Sequence, residues 1–105
     1  MKPDIEVQFV FNNERRTRMK DGFRPAHLVQ PNYLATGIHH YYNRESVFPN
    51  EKAMGTITFL TPEYYPHSLW VGKIISVQDG SRVIGYAVVK RIFNSLLDRD
   101  AVTVC

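Results

Sequence analysis

The chain has 105 residues, 44% of them hydrophobic, and a formal net charge of +3. That length and apolar content suit one compact domain whose core needs no disulfide support. Cys105 is the only cysteine, which excludes an internal disulfide and a cysteine-built zinc site and makes a cytoplasmic setting the expectation.

No basic stretch followed by an apolar one opens the sequence. The longest apolar runs, such as YAVVKRIF at residues 86–93, are too short and too charged to cross a bilayer. Neither secretion nor a membrane span is expected.

The first element is IEVQFVF (Ile5–Phe11). It alternates with period two and predicts a half-buried strand with Ile5, Val7, Phe9 and Phe11 on one face. NNERR follows, where Asn12 and Asn13 favour a turn or loop. Arg15, Arg16, Arg18, Lys20 and Arg24 then fall within ten residues. Such a cluster is either a solvated loop or an electrostatic footprint for phosphate, because Lys and Arg release condensed counterions when they meet a nucleic-acid backbone.

Gly22 permits a turn, and FRPAHLV resumes extended structure because the residue before proline is pushed out of the helical region. Pro25 cannot donate to a ladder, so this strand lies at an edge, starts there or is bulged there. NYLATGIHHYY (Asn32–Tyr42) is a further strand, and Gly37 within it marks a bend or bulge. NRESVFPNEK (Asn43–Lys52) reads as a loop. AMGTITFLT alternates again until Pro62, and PEYYPH is a proline-bounded aromatic loop. SLWVGKIISVQ and SRVIGYAVVKRIF flank Asp79-Gly80, a strong hairpin signal. The tail NSLLDRDAVTVC either starts a short helix capped by Asn94 or Ser95 or is loose. About six short strands in a chain of this size argue for an all-β barrel or sandwich, and closure into a barrel removes exposed edges.

Chemistry-bearing residues are sparse. His39 and His40 are adjacent, so on a strand their rings point to opposite faces and cannot share a metal. His27 and His67 stand alone and read as surface or hydrogen-bonded structural histidines. No serine sits in a nucleophile elbow, Cys105 at the chain end is a poor nucleophile, and no phosphate-binding glycine motif is present. No catalytic residue, metal ligand or cofactor is expected. Phe9, Phe11, Phe23, Phe59, Trp70 and Phe93 read as core. Tyr41, Tyr42, Tyr64 and Tyr65 are placed at loop edges, either as rim packing or as partner-binding anchors.

Four segments also carry a family likeness: GFRP (Gly22–Pro25), ATG (Ala35–Gly37), FPNEKAMGTITF (Phe48–Phe59) and QDGSRVIGYAVVKRIF (Gln78–Phe93). In this order and spacing the chain, from about Asp4 to Asn94, resembles the C-terminal, third domain of bacterial elongation factor Tu. The resemblance implies a small closed six-stranded antiparallel β-barrel over residues 1–94, with 95–105 as a C-terminal tail. In that family the domain binds the T stem of aminoacyl-tRNA, the GTPase domain and the nucleotide-exchange factor.

The family's T-stem contacts carry over to Ala26, Thr36, Gln78, Asp79 and Gly80. Thr36, Asp79 and Gly80 keep the expected tRNA-binding character. Ala26 stands where the family has glutamine and Gln78 where it has arginine, which removes an amide donor and a charged donor. Tyr86 and Ala87 replace a small Ala-Gly pair. GTPase domains are absent from this sequence, so they belong to a longer parent chain or the barrel stands alone; Met1 fits a natural start. The expectation is a non-enzymatic, translation-related module that contacts tRNA or a translation-factor protein and takes no small-molecule substrate. Arg15, Arg16, Arg18 and Lys20 would attract phosphate. The alternative is a protein-interaction or regulatory module unrelated to tRNA, anchored by Tyr41, Tyr42, Tyr64 and Tyr65.

Overall fold

A computed structural model describes residues 2–101, so Met1 and Cys105 lie outside the described residues. Among the described residues eight strands run in the order β1 (Ile5–Phe11), β2 (Met19–Lys20), β3 (Ala26–Gln30), β4 (Tyr33–Tyr41), β5 (Ser46–Val47), β6 (Lys52–Phe59), β7 (Ile74–Asp79) and β8 (Arg82–Ile92), with a 3-10 turn at Pro62–Tyr64. Six of them close a barrel in the order β1-β6-β4-β3-β7-β8, and β2 pairs with β5 in a separate two-stranded ribbon. Every barrel pairing is antiparallel. The chain is an all-β, small closed six-stranded barrel.

Period-two alternation produces the core directly. In β1 the residues Ile5, Val7, Phe9 and Phe11 are all buried, while the intervening ones are half-exposed. Inward residues from the other strands, among them Val29, Ala35, Ile57, Phe59, Ile75 and Val89, fill the same interior. The phase changes at a bulge. Val77 pairs with Gly85 and Gln78 with Val83, which leaves Ile84 as the extra residue of β8, and Ile84 and Gly85 are consecutively buried there. An extra residue on one strand shifts the inward set by one position.

Pro25 sits immediately before β3, as a residue without an N–H should. The expected hairpin forms between β7 and β8. Asp79 pairs with Arg82, so Gly80 and Ser81 make the turn, with Gly80 at φ 64°. That left-handed conformation is one that glycine adopts without a Cβ penalty.

Several expectations are corrected. Gly37 marks no bulge, because β4 and β6 keep register from Gly37↔Phe59 to Tyr41↔Gly55. It is small because the barrel is crowded there: a Cβ at Gly37 would lie 2.5 Å from Ile57 Cγ2 and 3.0 Å from His27 Cε1. The segments 12–21 and 43–52 are not plain loops, since Met19↔Val47 and Lys20↔Ser46 pair. Met19 and Val47 are both buried, so this ribbon is fastened to the core. Of the aromatics read as core, Phe93 is exposed, with the Arg91 guanidinium 5.2 Å from its ring centre. Trp70 is half-buried between Lys73 and Arg99. As far as residue 101 the tail forms turns rather than a helix, and Leu97 is fully buried. Its backbone is tied down by Leu69 N–H donating to Leu97 O at 3.0 Å and Arg99 N–H donating to Leu69 O at 2.7 Å.

Candidate nucleic-acid interface

The basic segment is anchored by its neighbours in space. Asn12 donates from Nδ2 to Val83 O at 3.0 Å and accepts Glu14 N–H on Oδ1 at 2.9 Å. Arg82 Nη1 donates to Glu14 O at 3.2 Å. Arg15 Nη1 donates to Asp79 Oδ2 at 2.6 Å, and its guanidinium lies 4.6 Å from the centre of the Phe23 ring. These contacts dock the segment on the β7–β8 hairpin. Beyond it, the β2–β5 pairing and buried Met19 hold the other end.

This docking sorts the four phosphate-attracting candidates. Arg15 has its charge compensated by Asp79 and acts as a bracket. Arg16, Arg18 and Lys20 are exposed, and among the described residues none of them is in an ion pair. Exposed cations outside an ion pair remain available to attract an anion. With Gly22, Phe23 and Phe48 they line an open cleft of about 640 Å³. Asp21 also lines it, but Asp21 Oδ1 already accepts Tyr41 N–H at 2.8 Å and meets His40 Nδ1 at 2.9 Å.

The positions carried over from the resemblance come together. Ala26 is the register partner of Thr36 on one side and of Gln78 on the other, so Thr36, Ala26 and Gln78 form one row across β4, β3 and β7. Asp79 and Gly80 continue from Gln78 into the turn. Thr36 and Gly80 are exposed, and Gln78 is half-buried with Nε2 donating to Ser76 Oγ at 3.1 Å. The Arg15–Asp79 pair joins this row to the basic segment.

The four tyrosines do not share a surface. Tyr41 and Tyr65 are fully buried, so their placement at loop edges is corrected: both belong to the core and cannot anchor a partner on the folded barrel. Tyr42 is half-buried, its hydroxyl donating to Glu6 Oε2 at 2.8 Å. Tyr64 is exposed.

Sequence reasoning missed a polar chain inside the barrel. His27 Nδ1 lies 3.1 Å from Ala35 O, His27 Nε2 lies 2.7 Å from His39 Nε2, and His39 Nδ1 lies 2.9 Å from the Tyr41 hydroxyl. The carbonyl only accepts, so Nδ1–H of His27 donates to it. Its Nε2 then accepts from Nε2–H of His39, whose Nδ1 accepts from Tyr41 O–H. Both imidazoles are neutral and each of their nitrogens is paired, as burial requires. Burial pushes the His27 pKa down to about 4, with the Ala35 carbonyl pulling weakly the other way. Burial, and then repulsion from His27, holds His39 well below its usual 6.5. His40, next in sequence, faces outward on Asp21, so the two adjacent histidines do lie on opposite faces. His67 is exposed, with Nδ1 3.0 Å from Asp98 O. Among the described residues no group of three or more His, Cys, Asp or Glu is placed to hold a metal.

The chain matches no protein-family model and no curated protein. The interface therefore rests on its own geometry.

Proposed function

We propose that the chain is a binding module of the elongation factor Tu third-domain type, without enzymatic activity of its own, that holds tRNA through the surface built from the basic segment and the Asp79-Gly80 hairpin. One observation carries this reading: the Arg15–Asp79 contact unites three unpaired cations with the Thr36–Ala26–Gln78 row. The cations supply sequence-independent attraction to the backbone, and Thr36 and Gln78 in the row supply polar side chains that set position. The barrel supports the reading by having the architecture that the sequence resemblance implies. The substitution of Ala26 and Gln78 shifts the work of charge attraction to Arg16, Arg18 and Lys20.

The test is the affinity for tRNA at two salt concentrations. Changing Arg16, Arg18 and Lys20 together to alanine should weaken binding at least about tenfold at low salt and reduce the salt slope by about one per lost phosphate contact. Wild-type protein that fails to bind tRNA at low salt contradicts the proposal.

A second reading, a protein-interaction module, has support from an apolar patch that adjoins the same row, since Val83 pairs with Gln78. Leu28, Ile74, Val83 and Tyr86 are exposed around a shallow apolar groove on β3, β7 and β8. Exposed apolar patches of this kind mark contact surfaces. This patch, together with Tyr64, replaces the four-tyrosine anchor set as the place for a protein partner.

A further inference from the structure

We propose that the cleft between the basic segment and Phe48 is a site for one unpaired nucleotide, its phosphate on Arg16, Arg18 and Lys20 and its base stacked on the Phe48 ring. The inference rests on the RNA reading above and goes further by naming the form of RNA that this part of the surface selects.

The ribbon creates the juxtaposition. Met19 pairs with Val47 and Lys20 with Ser46, so Phe48 leaves the ribbon one residue after the partner of Met19, beside Arg18 and Lys20. Arg18, Lys20 and Phe48 together line two adjoining hollows, of about 640 and 530 Å³. Each falls within the range of roughly 300–1,000 Å³ usual for small-ligand sites.

Phe48 is half-exposed, at 52% of its surface, yet its backbone is held on both sides. Phe48 N–H donates to Glu51 Oε1 at 2.9 Å, Glu51 N–H donates back to Phe48 O at 3.1 Å, and Arg44 Nη2 clamps the same Oε1 at 2.6 Å. The ring therefore stands on a braced loop. A single exposed aromatic is ordinary; one fixed at the edge of a cationic cleft matches the two parts of a nucleotide. Asp21 lines the first hollow and Glu45 the second, while Arg18, Lys20 and Phe48 line both and so mark where phosphate and base would meet.

The chemistry also selects the strand state. In a duplex the bases are stacked on one another and the protein meets backbone, whereas an unpaired base offers a free π-face to an aromatic side chain. Phe48 therefore contributes to single-stranded or splayed-out RNA and nothing to paired stems.

The experiment compares two labelled RNAs by fluorescence anisotropy with the full chain: an unstructured strand of about ten nucleotides, within the usual reach of such grooves, and the blunt duplex of the same sequence. Phe48→Ala should weaken binding of the single strand roughly tenfold and leave the duplex unchanged. Phe48→Tyr should retain wild-type affinity, and the Arg16, Arg18 and Lys20 triple alanine variant should lose affinity for both RNAs. Phe48 is exposed, so its variants keep the fold, and a proton NMR spectrum checks this. An unchanged single-strand affinity in Phe48→Ala, or an equal loss on both RNAs, overturns the nucleotide site while leaving the tRNA proposal in place. So does a loss in Phe48→Tyr as large as that in Phe48→Ala. Full single-strand affinity in the triple variant removes the phosphate contact and with it the site. Wild-type protein that binds neither RNA overturns the RNA reading itself. Displacement of the single strand by an acidic, aromatic peptide at lower concentration than by unlabelled RNA assigns the cleft to a peptide and also overturns the proposal.

Discussion

The barrel interior and the basic segment both carry polar side chains, but they treat them in opposite ways. Inside, His27, His39 and Tyr41 pair donor with acceptor along one chain and stay neutral. Outside, Arg16, Arg18 and Lys20 are exposed and, among the described residues, in no ion pair. A buried polar group without a partner costs far more than an exposed one, so these interior groups must satisfy one another. A surface that binds an anion must do the reverse and keep its donors free. The difference separates residues that hold the fold from residues available for function.

The largest effect expected from breaking this contrast is inside. His39→Ala removes a buried ring packed 4.3 Å, centre to centre, from Phe9 and strands both His27 and Tyr41. Cavity and lost hydrogen bonds together should cost at least about 3 kcal/mol, read as a lower midpoint in urea unfolding. Arg16→Ala should change stability by less than about 0.5 kcal/mol in the same assay.

Acid titration is of comparable size. The folded His27 sits near 4 while an unfolded histidine titrates near 6.5. Below 6.5 the unfolded chain takes up a proton that the folded barrel refuses, so stability is full above about 6.5 and falls as pH drops toward 4. His27 alone should remove about 3 kcal/mol by pH 4, and His39, depressed in the same direction, adds to the loss. Unfolding midpoints measured at about pH 7, 6, 5 and 4 span this window and check it. A flat profile above about pH 5 would mean that the two imidazoles are not buried neutral.

A small effect on stability belongs to the bracket. Asp79→Asn breaks a partly exposed ion pair, worth at most about 1 kcal/mol. It also frees Arg15 from the hairpin, so tRNA affinity should change by more than the small stability loss explains. Equal affinity and salt dependence in wild type and variant would show that docking of the segment does not matter for binding.

Much of the fold is legible in the chain because its strands are long enough to alternate. Ile5–Phe11 shows its buried face in every second residue, and Asp79-Gly80 announces the turn between β7 and β8. The β2–β5 ribbon is invisible by comparison. A ladder of two residues on each side has no periodicity, and Met19↔Val47 is a pairing between segments distant in sequence. Tyr41 is readable in principle: Ala35, Gly37, His39 and Tyr41 share one parity of β4, and all four face inward. Its position at the strand's end hides this, because a terminal residue looks like a loop edge until the barrel closes over it. Of the candidate site, the cations and Thr36, Asp79 and Gly80 are visible as residue types. Their meeting depends on Arg15 reaching Asp79 across the fold, and Phe48 acquires its place only through the ribbon.

The central claim, that the basic segment and the hairpin row form one tRNA-binding surface, is tested most directly by a nitrogen-15 NMR titration of the chain with tRNA. Amide shifts should concentrate at Arg16, Arg18, Lys20, Thr36, Gln78 and Gly80, with Val7 and Thr56 on β1 and β6 unmoved. Shifts confined to the adjoining apolar patch around Leu28, Ile74 and Tyr86, or none at all, would contradict it.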